Sequence, residues 1–337
     1  MGCGSGRVDE RRRASRRSRL NSGSAYVRKR NSNINSHKLF RVPCRSNAAR
    51  GECPQDAGII GVVDSDGGVG AHFRRLHQEG CFVIPNPWDA GSAIALEKLG
   101  FPALATTSAG LCFARGLPDT VTALSVDEAL ENIAEIVAAV SLPVNADFQA
   151  GYASDSEALA QNVARCVATG VAGLSIEDGT GLADSPLFEP AEATDRVRAA
   201  RAAIDESGAD VVLTGRAECF LYGHPDPLAE AIRRLQAYAE AGAEVLFAPG
   251  IRTRTDIATL VDAVAPYPVN VLMSSDTGLT VTDLGKLGVR RISLGSAFSR
   301  VAWGAFLAAA RKLVEDGSFA GLTQAASFDE LNALFTG

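Results

Sequence analysis

The 337-residue sequence has no run of 18 apolar residues, so no membrane-spanning helix is expected. Its seven cysteines (Cys3, Cys44, Cys53, Cys81, Cys112, Cys166 and Cys219) include no CxxC pair and no Cys/His cluster. That removes a zinc site and a disulfide framework and fits a reducing compartment. Cys81 and Cys166 read as small core residues. Acid is nearly missing from the N-terminus: residues 1–50 hold 2 Asp/Glu against 14 Lys/Arg. Residues 51–337 therefore hold 37 acidic and 19 basic side chains, a net charge of −18. An acidic body of that size argues against nucleic acid as its partner, and no membrane partner is expected. The basic run from Arg11 to Arg17 is followed by no apolar stretch, so a secretory signal is not expected there.

Residues 1–55 are basic and polar with few apolar anchors, and they are expected to form a disordered tail. An Arg- and Ser-rich segment poor in acid also has the composition of an organelle transit peptide; a solvated tail is the simpler reading. The expected location is cytoplasmic, with organelle targeting by the tail as the alternative.

From about residue 70 the pattern changes. Short β-branched segments alternate with longer amphipathic ones. Strands are expected at 82–85, 103–107, 143–148, 173–178, 211–216, 244–249, 269–274 and 291–295. Helices are expected at 90–99, 126–140, 156–168, 193–206, 227–241, 255–264, 280–287 and 297–315. Ser125 and Asp155 offer helix starts, and Gly100, Gly170, Gly208, Gly242 and Gly288 offer stops. Strict β/α alternation with short loops implies a parallel sheet with right-handed crossovers. Eight such units, with no GxGxxG after the first strand, favour a closed (β/α)8 TIM barrel over an open doubly wound sheet. The barrel is expected over residues 70–318. A helical extension follows over 319–337, with a last short helix at 328–334 packed on the barrel or on a neighbouring subunit.

Side chains alternate along a strand, which places Asn145 and Asp147, Ser175 and Glu177, and Thr214 and Arg216 toward the barrel axis. Glu218 is a further candidate. A barrel interior is normally apolar, and buried charge is costly unless paired or bound. Three consecutive strands turning polar groups inward near their C-terminal ends imply a pocket at the face where barrel enzymes keep their sites. The competing explanation is a structural ion-pair network joining Arg216 to Glu177 and Asp147. Thr106, Thr107, Ser108, Ala109 and Gly110 close the second strand as a small-residue loop suited to an anionic substrate. Asp119 follows the Pro-fixed turn Gly116-Leu117-Pro118. Asp119, Asp147 and Glu177 offer hard oxygen ligands, which favour Mg²⁺ or Mn²⁺, and Arg216 offers a bidentate carboxylate clamp.

These motifs in combination resemble the isocitrate lyase/phosphoenolpyruvate mutase superfamily, in its phosphoenolpyruvate mutase-like branch. The carriers are FVIPNPWDAGSA (82–93), ATTSAG (105–110), GLPD (116–119), PVNADFQAGY (143–152), GLSIEDG (173–179), TGRAE (214–218), AYAEAGAEVLFAPG (237–250) and RISLGSAF (291–298). The resemblance implies a Mg²⁺-assisted enzyme that cleaves or rearranges a C–C or P–C bond of a small 2-oxo or 2-hydroxy acid through an enolate. It implies a metal shell at Asp119, Asp147, Glu177 and Asn145, and catalytic roles for Arg216, Asp119 and Glu177. Substrate contacts fall to Arg216, Asn145 and the stretch from Thr106 to Gly110. It also implies a homodimer or homotetramer with a swapped C-terminal helix. Two departures stand out. The family's D-A-D reads Asn145-Ala146-Asp147 here, so one metal-site charge is missing. The lyases' K-K-C-G-H is replaced by Gly179-Thr180-Gly181-Leu182-Ala183-Asp184-Ser185, which argues against a methylisocitrate-type or isocitrate-type lyase and leaves this segment as a candidate lid with Asp184 and Ser185 as gating residues. Asn145 also raises the alternative of a non-catalytic barrel that binds a small carboxylate. His224, past the fifth strand, is a candidate proton carrier or a simple loop residue. His72 and His77 are expected to be structural or surface residues of an amphipathic helix.

Overall fold

The computed structural model describes Met1 and residues 68–336; the expected basic tail, with Cys3, Cys44 and Cys53, lies outside the described residues. Eight parallel strands form one sheet: β1 (Phe82–Ile84), β2 (Leu104–Ala105), β3 (Val144–Asp147), β4 (Gly173–Glu177), β5 (Val212–Arg216), β6 (Val245–Phe247), β7 (Val269–Leu272) and β8 (Arg291–Ser293). They pair in the order β1-β8-β7-β6-β5-β4-β3-β2. Across the remaining seam the Ala105 N–H donates to the Pro85 carbonyl at 3.0 Å, so the expected barrel closes. Each strand falls within its expected segment.

The helices are α1 (Val69–Leu76), α2 (Ala90–Lys98), α3 (Ser108–Ala114), α4 (Val126–Ala139), α5 (Ser156–Ala168), α6 (Pro190–Ser207), α7 (Pro227–Glu240), α8 (Arg254–Ala263), α9 (Val281–Lys286), α10 (Ala297–Asp316) and α11 (Phe328–Phe335). Local chemistry explains their limits. Ser125 and Glu128 cap each other at the start of α4, and Asp155 accepts the Ala158 N–H at the start of α5. The five stop glycines all adopt left-handed φ values between 68° and 105°, which an L side chain rarely adopts. One expectation is corrected. The 106–110 stretch is not a loop throughout, because Thr107 caps α3 by accepting the Gly110 N–H at 3.2 Å. α3 has only seven residues, too few for a period to show in the sequence.

The outward faces of the strands, including Val144, Ala146, Leu174, Ile176 and Leu213, are buried against the helices. The N-terminal end of the barrel is closed by Phe73 of α1, which packs with Phe82, Ile84, Ala105, Val212 and Val245. After α10 a 3-10 turn (Phe319–Gln324) folds back along it, and α11 packs on α2, where Lys98 donates to the Thr336 carbonyl at 3.1 Å. No described helix is long and apolar enough to cross a membrane. Cys112, Cys166 and Cys219 are buried and Cys81 half-buried; burial pushes the thiols of Cys81 and Cys219 up to about 11 and about 12.

His77 is part of this floor and not a surface residue. Its Nδ1 donates to the Phe73 carbonyl at 2.8 Å, which leaves Nε2 bare to accept from Arg291 at 3.3 Å. Burial, helped by the Arg291 charge, lowers its pKa to about 3. The unfolded chain takes up this proton near pH 6.5 and the folded chain near 3. The stability contributed by the neutral ring is therefore complete above pH 6.5 and is lost as the pH falls toward 3. At pH 5 the loss is about 2 kcal/mol. Calorimetric melting of wild type and His77→Gln should show the wild type losing about 5 °C more than the variant between pH 7 and pH 5; equal slopes would refute it.

Candidate active site

The barrel interior opens into two adjoining cavities. The inner one, about 190 Å³, is lined by Thr106, Thr107, Ser108, Ala109, Asp119, Asn145, Asp147 and Arg216, all expected from sequence. It is also lined by Asn86, Ser175, Asn270, Arg291 and Ser293. The outer one, about 750 Å³, shares Ser108, Asp119 and Arg216 with it and adds Gln149, Glu177, Glu218 and Tyr222. Asp119, Asp147, Glu177 and Arg216 thus meet at one mouth. Gly110 stands behind the wall, where its N–H serves the helix cap.

Strand register sets this arrangement. Asp147 lies opposite Ser175, and Glu177 opposite Arg216. Asn145 lies opposite Gly173, where a Cβ would sit 2.7 Å from Asn145 Oδ1 and 2.7 Å from the Phe73 ring. Only glycine leaves room for an inward amide there. Past β3, Gln149 takes a left-handed φ of 45° and receives the Glu177 N–H on its carbonyl at 3.0 Å. Strained residues of this kind gather at binding sites.

Arg216 is the electrostatic hub. Nη1 meets Asp147 at 3.2 Å and Glu177 at 3.0 Å, and Nε pairs with Glu218. The ion-pair network weighed as an alternative is therefore present, inside the pocket. It corrects the expected bidentate clamp: with Nε and Nη1 spent on carboxylates, only Nη2 has no hydrogen-bond partner among the described residues. The other Asp147 oxygen accepts from both the N–H and the hydroxyl of Ser108, each at 2.9 Å. The Ser108 amide thus points at a carboxylate of the protein, and the first turn of α3 is bound to β3.

Burial pushes the carboxyls of Asp119, Glu177 and Glu218 upward. Repulsion from Asp147 adds to the effect on Asp119, and Arg216 opposes it at all three. Four carboxyl groups face a single guanidinium, so the mouth carries excess negative charge. Among the described residues no group of three or more His, Cys, Asp or Glu side chains is arranged to hold a metal ion. The donors are nevertheless all oxygen, the charge is uncompensated, and Asn145 Oδ1 is buried without a partner. Such a set fits a hard divalent cation held largely through water, as Mg²⁺ often is.

Other candidates fall away from the cavities. His224 bonds to the Asp226 N–H across its own turn and lines neither cavity, as a loop residue would. Gly179 and Leu187 form an antiparallel bridge, so the candidate lid is a short ribbon whose Gly181, Leu182 and Ala183 line the outer cavity. Asp184 and Ser185 are exposed beyond it. Sequence reasoning missed Arg291, Asn270, Ser293, Gln149 and Tyr222 as lining residues. The first three alternate with the outward Ile292 and Val271, and that alternation was a readable signal.

Residues 73–314 match the family described as phosphoenolpyruvate phosphomutase. Among curated relatives, an uncharacterised protein of Mycobacterium tuberculosis (strain ATCC 25618 / H37Rv) is 34% identical over 66% of this chain and 81% of its own. The 2-methylisocitrate lyase of Escherichia coli (strain K12) is 31% identical over 64% and 73%. A solved structure from Burkholderia cenocepacia J2315 with the provisional name lyase/mutase is 42% identical, with a TM-score of 0.77 over 80% of this chain and 96% of that one. Oxaloacetate acetylhydrolase in complex with its product oxalate is 26% identical, with a TM-score of 0.71 over 79% and 93%.

Proposed function

The chain belongs to the isocitrate lyase/phosphoenolpyruvate mutase superfamily and is an enzyme of that kind; we propose that it cleaves or rearranges a C–C or P–C bond of a small 2-oxo or 2-hydroxy acid with the help of Mg²⁺. The observation that carries this reading is the inner cavity, small and polar, with excess carboxylate and a guanidinium at its mouth. Asp147, Asp119, Glu177 and Asn145 would hold the cation. When bound, it supplies electrostatic stabilisation for negative charge that develops on a 2-oxo oxygen.

The protein's own groups do the rest. Arg216 Nη2 and the small residues from Thr106 to Ala109 orient a carboxylate. The Glu177 carboxyl, pushed up by burial, can hold or release a proton near neutral pH. The ribbon carrying Gly181 to Ala183 limits water at the outer cavity. A second copy of the chain also belongs to this proposal. α10 exposes Val301, Phe306 and Val314, and an apolar hollow of about 350 Å³ lies among Trp88, Trp303 and Phe306. A homodimer or homotetramer that exchanges this helix would cover both. The acidic body argues against a nucleic-acid partner, and a cytoplasmic location, in keeping with the unclustered cysteines, is part of the proposal.

The test is a panel of oxaloacetate, phosphonopyruvate and 2-alkylmalates with Mg²⁺, read by release of pyruvate or oxalate. Turnover of at least one compound that stops on chelation is expected. Calorimetric titration should show oxalate binding only with Mg²⁺. Asn145→Asp, which restores a charge, should raise Mg²⁺ affinity about tenfold. Absence of turnover together with metal-independent oxalate binding would leave a carboxylate-binding barrel instead.

A further inference from the structure

The two guanidinium groups of the inner cavity differ in one decisive respect. Arg216 is surrounded by three carboxylates. Arg291, at the first position of β8, is 3% exposed and lines the floor of the same cavity without a carboxylate. Its Nε donates to Asn270 Oδ1 at 3.0 Å, its Nη2 to the Thr214 hydroxyl at 3.1 Å and its Nη1 to the bare Nε2 of His77 at 3.3 Å. All three partners are neutral. A guanidinium carries five N–H donors, so two remain.

A buried charge without a counter-ion is among the costliest features a core can hold. Burial draws the Arg291 pKa down to about 9, which still leaves it charged at neutral pH. Its neutral neighbours orient the group without cancelling its charge. Donor capacity is thus unspent at Arg291, while at Arg216 it is largely consumed by carboxylates.

We infer that Arg291 receives a second acidic group of the substrate at the barrel floor, so that the preferred ligand is a compact dianion whose other acidic group meets Arg216 Nη2. Asn270, Thr214 and His77 hold the Arg291 fork in place. The inner cavity of about 190 Å³ has room for about six water molecules, which suits a four-carbon diacid and little more. The inference rests on the reading of this cavity as the site of a small 2-oxo or 2-hydroxy acid, and it adds a residue that selects among such acids.

The test compares malate with 2-hydroxybutyrate, which has the same four-carbon chain with a methyl in place of the second carboxylate. Oxalate with Mg²⁺ serves as the control for the mouth. Calorimetric titration of the full chain should show malate binding at least tenfold tighter than 2-hydroxybutyrate. Arg291→Met should bring the two within twofold while oxalate affinity stays within threefold. Equal affinities in the wild type, an unchanged preference in the variant, or parallel weakening of malate and oxalate would overturn the inference. If oxalate does not bind the wild type but the malate preference holds and depends on Arg291, the floor subsite stands and the metal-assisted reading fails. Should the methionine variant not fold, Arg291→Lys decides, because it keeps the charge and loses the fork. Malate should then weaken at least threefold with 2-hydroxybutyrate unchanged, and equal weakening of both would overturn the inference.

Discussion

Replacing Arg216 with methionine is expected to abolish turnover and to lower the melting temperature by about 10 °C. Asp147, Glu177 and Glu218 all pair with this one side chain, and each of the four is mostly shielded from solvent. Removing one partner of a buried ion pair costs about 3–5 kcal/mol, because the remaining charge stays buried without compensation. A barrel of this size loses about 2–4 °C for each kcal/mol. The effect has a definite pH sign. Burial already holds the Glu177 and Glu218 carboxyls above their ordinary value, and Arg216 is what pulls them back down. Without it they rise further, so the variant keeps its stability below about pH 4.5, where unfolded and folded carboxyls are both protonated, and loses it as the pH rises. The gap between wild type and variant should therefore be wider at pH 8 than at pH 5. Arg216→Lys should recover much of the stability and little of the turnover, since a single ammonium cannot serve three carboxylates and a substrate at once. A gap that is flat with pH, or a methionine variant that still turns over, would refute this account.

The second large effect is expected behind the site. Asp178 is 2% exposed, and its two oxygens serve three donors. The Glu218 N–H reaches Oδ1 at 2.8 Å, while Arg234 Nη1 and the Tyr238 hydroxyl reach Oδ2 at 2.9 and 2.6 Å. Asp178→Ala orphans the Glu218 amide and the Tyr238 hydroxyl and leaves Arg234 with Glu230 as its only remaining described carboxylate partner, at 2.7 Å. A loss of about 3–5 kcal/mol is expected from chemical denaturation midpoints. Because Glu218 is anchored here and in turn holds Arg216 Nε, turnover should fall even at temperatures where the variant is fully folded. Asp178→Asn, which keeps an acceptor, should lose about half as much stability. A change below 1 kcal/mol in the alanine variant would show that the network is not coupled to the fold.

Much of the site was legible from residue alternation alone. Asn145 and Asp147, Ser175 and Glu177, and Thr214 and Arg216 lie on the inner faces that strand periodicity assigned to them. The same rule applied to 269–272 and 291–293 marks Asn270, Arg291 and Ser293 as inward, but a lone Arg at a strand start reads equally well as a solvated end. That it faces the floor depends on barrel closure, which sets Arg291 level with Phe82 at the start of β1. His77 was ambiguous for a similar reason. An amphipathic helix shows which residues share a face, not whether that face closes a barrel.

Sequence by itself determined the barrel, its eight strands, the stop glycines and the identity of the polar residues at the mouth, because helix and strand periods, caps and turns are local and repeat along the chain. Tertiary structure alone decided how charge is shared among those residues. Arg216 is spent on three carboxylates and Arg291 on none, because ion pairing depends on distances of a few ångströms between strands far apart in sequence, and on a burial that no local pattern encodes.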